Sequence, residues 1–244
     1  MSTPRAAVLL LSPLALSTAV AGATVAAPAA APGLEDRATW ALCLSGEGCR
    51  LCKTTLTHAQ ADAVLGSMGL IQGNPGHTVV TMRRKDGEWT WYYDVRRGPA
   101  ELNEYFGGSG DPGIGQCPSL PGDIEPRDGH WTIANAAPAA TGCPAGVAGQ
   151  VAAVQMLKSG PVVFARPFRA GSALPDPAVS WVQVAPNRHR GHFAPAGQTA
   201  MQARYEFEVV SEEAMRGTLT VFVAIPGQPQ CRIETPFTYT RTGD

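Results

Sequence analysis

The chain has 244 residues, 19 of them Lys or Arg and 20 Asp or Glu, for a net charge of −1. That balance excludes a nucleic-acid binder held through phosphate contacts, which needs a marked basic excess. With 27 Gly, 21 Pro and few long apolar runs, the composition calls for many turns and a mainly β protein.

Met1–Ala27 reads as a secretory leader. Arg5 supplies the positive start and Ala6–Leu16 the apolar run. Ala21-Gly22-Ala23 and Val25-Ala26-Ala27 both fit the small-x-small rule, so cleavage is expected after Ala23 or Ala27. Pro13 and the interspersed Ser and Thr make the run too short and weak for a stable membrane span. No membrane span is therefore expected after leader removal, and the expected location is periplasmic or secreted, in a bacterium. Residues 28–38 read as a disordered leader tail.

Export places the six cysteines where thiols oxidise. Cys43, Cys49, Cys52 and Cys117 precede a Pro/Gly-rich stretch, and Cys143 and Cys231 follow it. Two even groups predict two domains that each close their own disulfides, at 39–120 and 121–244. The expected fold is a small α+β N-terminal domain, helix plus β-hairpin, followed by an antiparallel β-sandwich or small β-barrel.

Trp40–Cys52 reads as a compact cysteine loop. Thr57-His58-Ala59-Gln60 forms a capping box, and Leu56 can pack on Ala61 as a hydrophobic staple, which predicts a helix over 58–68 closed by Gly69. Thr78–Arg84 and Glu88–Val95 alternate in period two around Asp86-Gly87, a strong hairpin signal. A two-residue turn there sets Lys85 opposite Glu88, Arg84 opposite Trp89, Met82 opposite Trp91 and Val80 opposite Tyr93. One face would then carry Val80, Met82, Trp89, Trp91 and Tyr93. Pro99 starts a short helix, Ala100–Phe106, ended by Gly107-Gly108. Gly107–Asp128 reads as the interdomain connection, pinned by Cys117.

Beyond it the expected strands are His130–Asn135, Gln150–Leu157, Val162–Phe168, Val179–Ala185, Ala203–Val210, Gly217–Ile225 and Gln230–Arg241. Tyr205, Phe207 and Val209 share one face of their strand, as do Leu219, Val221 and Val223, which suits an antiparallel sheet with one wet face. Cys231 shares its face with Ile233, so a Cys143–Cys231 bridge would staple this core. On a chain-entropy estimate it is worth roughly 4 kcal/mol. In the first half either Cys49 joins Cys52 and Cys43 joins Cys117, or one of Cys49 and Cys52 joins Cys43 and the other joins Cys117.

Cys49-Arg50-Leu51-Cys52 has the spacing of a redox pair but no helix start beside it to lower a thiol pKa. Lys53 stands where haem attachment needs His, and zinc held by Cys43, Cys49, Cys52 and His58 conflicts with oxidising export. No metal or other cofactor is expected. Asn187-Arg188-His189-Arg190-Gly191-His192 is the densest ionisable run, and it reads as an exposed basic turn. His189 and His192 have the chemistry to bind a metal or shuttle protons, but should the run act, capture of an anionic group suits it best, with Arg188 and Arg190 flanking His189. Trp89, Trp91 and Tyr93 are spaced to stack on a glycan or extended peptide if exposed, with Arg84 near the tip, or to form the core of a small domain if buried. No nucleophile elbow, zinc-protease helix, phosphate loop or dinucleotide fingerprint occurs, so no catalytic residue is assigned.

Two function classes follow. The first is an exported, disulfide-stabilised, non-enzymatic binding or envelope-associated protein whose partner is an unidentified small molecule, glycan or protein. The second is an exported hydrolase or metal-dependent enzyme with a site assembled from dispersed residues.

Overall fold

In the first sheet, β1 (Arg37–Leu44) has apolar residues on both sides of its pleat, the pattern of a strand covered on both faces. The computed structural model describes residues 33–144, 146–147, 158–176, 178–193 and 201–244. The leader and the strand expected at Gln150–Leu157 lie outside them. The described residues are mainly β, 48% strand and 10% helix, in two sheets.

The segment expected as a cysteine loop is a hairpin. β1 turns through Ser45-Gly46-Glu47 into β2 (Gly48–Thr57), and Cys43 lies directly opposite Cys49. These two form one disulfide, and Cys52–Cys117 and Cys143–Cys231 are the others. The 4 + 2 grouping of the cysteines holds, as does the core staple at Cys231, which is fully buried.

Thr57 caps α1 (His58–Leu65) with the expected reciprocal box: Gln60 N–H donates to Thr57 Oγ1, and Thr57 N–H to Gln60 Oε1. The helix ends three residues earlier than expected, at Gly66, whose φ of 71° serves the left-handed cap. Asp62 then anchors the following loop. Its carboxylate accepts from the Ile71 and Gln72 amides at 2.9 and 2.7 Å and from Ser67 Oγ at 2.5 Å.

β3 (Thr78–Arg83) and β4 (Trp89–Asp94) form the expected hairpin in a different register. Val80 opposes Tyr92, Thr81 opposes Trp91 and Val79 opposes Tyr93. The loop is one residue longer: Arg84 N–H donates to Glu88 O at 2.8 Å, leaving Lys85-Asp86-Gly87 as a three-residue loop with Gly87 at φ 88°. A slip of one residue exchanges faces. Val80 and Met82 therefore pack with Tyr92 on one side of the sheet, while Val79 packs with Trp91 and Tyr93 on the other.

α2 (Pro99–Tyr105) covers the Val80 side through Leu102, with Phe106 beside it. β5 (Ile114–Gly115) adds a two-residue parallel edge beside Leu51 and Cys52. The strand order is β4-β3-β1-β2-β5, with β3 parallel to β1.

The second sheet is antiparallel. Its strands are β6 (Gly129–Asn135), β7 (Ala139–Thr141), β8 (Gly160–Val162), β9 (Val179–Ala185), β10 (Arg188–Phe193), β11 (Met201–Ser211), β12 (Ala214–Val223) and β13 (Cys231–Gly243). The order is β8-β6-β13-β12-β11-β10-β9, with β7 also paired to β13. Of the strand expected at Val162–Phe168 only Val162 pairs, as the last residue of β8. The chain beyond leaves the ladder, because Phe164 N–H is taken by Asp128 Oδ1 and Phe168 N–H by the Glu125 carboxylate. Phe164, α3 (Ala170–Ala173) and Leu174 then cover Trp131, Tyr205, Phe207 and Tyr239.

The two sheets meet through a shared core. Val182 of β9 packs with Trp40, Leu56, Ala61 and Val64 of the first sheet and α1, and Trp91, Tyr93 and Val184 close around them. Arg190 Nη1 also reaches the Leu65 carbonyl at 3.5 Å, putting positive charge at the negative end of α1.

Candidate functional site

The aromatic hairpin and the basic run form no common site. Trp91 and Tyr93 sit half-buried against Val184, between the sheets. The Tyr93 hydroxyl donates to the Asn74 carbonyl, and burial with Asp62 nearby pushes its pKa up to about 12. Trp89, half-buried, lies opposite Arg83 towards the hairpin tip. Arg84 pairs with Asp86 at 3.0 Å in the exposed loop.

The basic run is not a turn but the interior strand β10, and the turn precedes it at Pro186-Asn187, with Asn187 at φ 62°. The pleat separates the residues expected to act together. Arg188 and Arg190 face one side and pair with Glu208 at 3.5 Å and Glu206 at 2.9 Å. His192 lies on that side too, half-buried near Arg204, with its pKa lowered chiefly by burial. His189 and Gly191 face the other side, onto Phe207 and Trp181.

His189 is the residue of the run that reaches a cavity. A cleft of about 940 Å³ runs between the first sheet and β9. One wall is β2 from Cys52 to Leu56, with Trp40 behind it. A second is the segment 114–125, tied down by the Cys52–Cys117 bridge. The third is β9 from Val179 to Gln183, with Phe168 and His189 at its side.

His189 is only 7% exposed, and its ring stands between Phe168 and Phe207, with centroids 5.4 and 5.1 Å away. Burial lowers its pKa to about 4, against a partial opposing pull from Asp123. The ring is therefore a neutral hydrogen-bonding group at neutral pH, and its nitrogens make no hydrogen bond among the described residues.

Asp123 is already engaged. Its Oδ1 accepts from Gln183 Nε2 at 2.7 Å and from the Asn187 amide at 3.0 Å, and its Oδ2 accepts from the Leu120 amide at 2.9 Å. Asn187 returns the clasp, accepting from Ile124 N–H at 2.6 Å and donating to Gly122 O at 3.0 Å. These bonds fix the 120–124 wall to the β9–β10 turn. Glu125 is likewise committed to the Phe168 amide and lies near Arg166. The cleft's cations are freer. Lys53 donates to the Arg37 carbonyl at 3.1 Å, and neither Lys53 nor Arg169 forms an ion pair among the described residues.

Among the described residues no group of three or more His, Cys, Asp and Glu is placed to hold a metal ion. The cleft residues come from four distant stretches, so no local motif marks them. Trp40, Lys53, Asp123, Phe168 and Trp181 carry no sequence signal as a set, and Pro186-Asn187 is the one cue that would have moved the turn off the basic run. Compared with family models, curated proteins and solved structures, the chain matches none.

Proposed function

We propose that this is an exported, disulfide-stabilised binding protein, and that the cleft between β2, the 114–125 segment and β9 is its ligand site. The observation that carries the reading is His189. It is a largely buried side chain whose ring nitrogens have no protein hydrogen-bond partner among the described residues and open onto a cavity large enough for a sizeable ligand, beside the buried, unpartnered indole N–H of Trp181. A buried polar group such as the Trp181 indole N–H normally finds a partner, and a concave cleft where apolar side chains and placed polar groups converge is the usual form of a ligand site. Trp40, Leu56, Phe168 and Trp181 provide apolar surface, and Lys53 and Arg169, which form no ion pair among the described residues, favour an anionic group on the ligand. The Cys52–Cys117 bridge and the Asp123–Asn187 clasp hold the walls in place before binding, which lowers the ordering cost.

The test uses the anionic dye anilinonaphthalene sulfonate, with Trp40 and Trp181 as energy donors from the cleft walls. The dye should bind the wild-type protein saturably. Thr55→Trp, at an exposed position of the wall, should fill the cleft and abolish binding without lowering stability. Dye binding that survives in a fully folded Thr55→Trp protein would place the site elsewhere. Mass spectrometry of the secreted or periplasmic protein checks export, through a mature start at residue 24 or 28.

A further inference from the structure

An antiparallel edge strand leaves every second residue's N–H and C=O pointing away from its sheet. Two hydrogen bonds identify these residues in β9. Asn187 O accepts from Val209 N–H at 2.8 Å, so the odd-numbered residues of β10 bond to β11 and its even-numbered residues turn to β9. Arg190 and His192 stand opposite Val182 and Ser180, which are thereby bonded into the sheet. At the start of β9, Val179 N–H donates to Asp176 O at 3.0 Å rather than to β10, in the same alternation. Trp181 and Gln183 therefore turn their N–H and C=O outward. Both line the cleft, and among the described residues these four groups have no backbone partner.

Edge strands are ordinarily protected by a Lys, a Pro or an inward charge. β9 reads Val-Ser-Trp-Val-Gln-Val-Ala and has none of these. Its free edge instead opens onto the cleft, where half-buried Trp181 and Gln183 present backbone donors and acceptors to an incoming strand. Val179–Gln183 offers a track of about 17 Å at the usual rise per strand residue, with Lys53 and Arg169 along the same cavity.

We propose that the cleft's ligand is an extended peptide that adds as a strand to the free edge of β9, with an acidic residue turned towards Lys53 and Arg169. This rests on the cleft being the ligand site. Main-chain hydrogen bonds to Trp181 and Gln183 supply affinity, and alternate side chains entering the cleft supply selectivity.

The probe is a pool of acetylated octapeptides with β-branched residues at alternate positions and one Asp or Glu. The pool is incubated with the full mature protein, and retained peptides are identified by mass spectrometry. Each retained peptide is remade with alternate amides N-methylated, once in each phase. Methylation in the phase facing β9 should weaken binding at least about 10-fold, while the other phase changes it less than about 3-fold. Exchanging the acid for Lys should weaken binding about 10-fold. Equal response to both phases, or binding that persists in Thr55→Trp, overturns strand addition. Retention of no peptide by protein that still binds the dye overturns it too, leaving the cleft as a site for another anionic ligand. Loss of dye binding as well as peptide binding removes both readings.

Discussion

Asn103 Oδ1 accepts a hydrogen bond from the backbone N–H of Cys49 at 2.7 Å, joining α2 to the disulfide hairpin at the centre of the first sheet. The same amide donates to Ser109 O at 3.2 Å and Gly110 O at 2.9 Å, so one buried side chain on α2 holds three backbone groups in two other segments. The fit is close: a Cβ on Gly48 would stand 2.3 Å from Asn103 Oδ1, and one on Gly108 2.2 Å from it. Asn103→Ala leaves a buried N–H and two carbonyls unpaired, and should cost about 3 kcal/mol. Asn103→Asp keeps the acceptor but loses both donors, and should recover less than half of that. Urea denaturation with the disulfides intact measures both.

The three bridges should contribute unequally. In the chain-entropy account the contribution grows with the enclosed loop, and the sequence separations are 88 for Cys143–Cys231, 65 for Cys52–Cys117 and 6 for Cys43–Cys49. Paired Cys→Ala variants should lose about 4–5, about 4 and about 2 kcal/mol in that order. Urea midpoints of the three variants test the ranking. Removing Cys52–Cys117 should also weaken dye binding, because that bridge tethers the 114–125 wall of the cleft.

Stability should fall as the medium is acidified below pH 6.5, because of His189. Its pKa is lowered to about 4 in the folded protein from an ordinary 6.5, so the unfolded chain binds the extra proton first. The stabilisation of the neutral ring is complete above pH 6.5 and is lost progressively down to pH 4, a total of about 3 kcal/mol. His192 shifts in the same direction and adds to the slope. Asp94 and Glu208, whose pKa values lie below the ordinary carboxylate range, lose their contributions only at lower pH. His189→Phe should therefore flatten the dependence between pH 6.5 and 4 by about one proton, read from denaturation midpoints across that window.

Elements whose signals are local were legible in the sequence. The α1 cap needs only Thr57 and Gln60, and β11, β12 and β13 announce themselves by alternation. The Cys143–Cys231 bridge followed from the face that Cys231 shares with Ile233. The β3–β4 register was not legible, because Asp-Gly fits a two-residue turn and also the end of a three-residue loop, and one residue decides which face Trp91 and Val80 take. β1, β2 and β10 were misjudged for a related reason. Polar or cysteine-rich strands resemble loops until neighbouring strands supply the pairing. The cleft was invisible because it joins residues from β2, the 114–125 segment, the 167–171 stretch and β9, with nothing in each stretch to mark it.

Gly191 offers a way to disturb the β9 wall from behind. A Cβ there would stand 2.6, 2.8 and 2.9 Å from Cζ3, Cε3 and Cη2 of Trp181, its partner across the β9–β10 ladder. The backbone at Gly191 has no positive φ, so the effect of a substitution is purely steric. The Trp181 ring also touches Tyr205 and Phe207, with centroids 5.7 and 5.3 Å away, so it cannot shift without moving the core. Gly191→Ala should cost about 1–3 kcal/mol by overpacking, change the tryptophan emission and weaken dye binding in the cleft. Trp181→Leu makes room for the methyl, so in that background Gly191→Ala should be nearly neutral, a coupling of at least about 1 kcal/mol in a double-mutant cycle. Additive losses would show that Gly191 is needed for some reason other than the Trp181 ring.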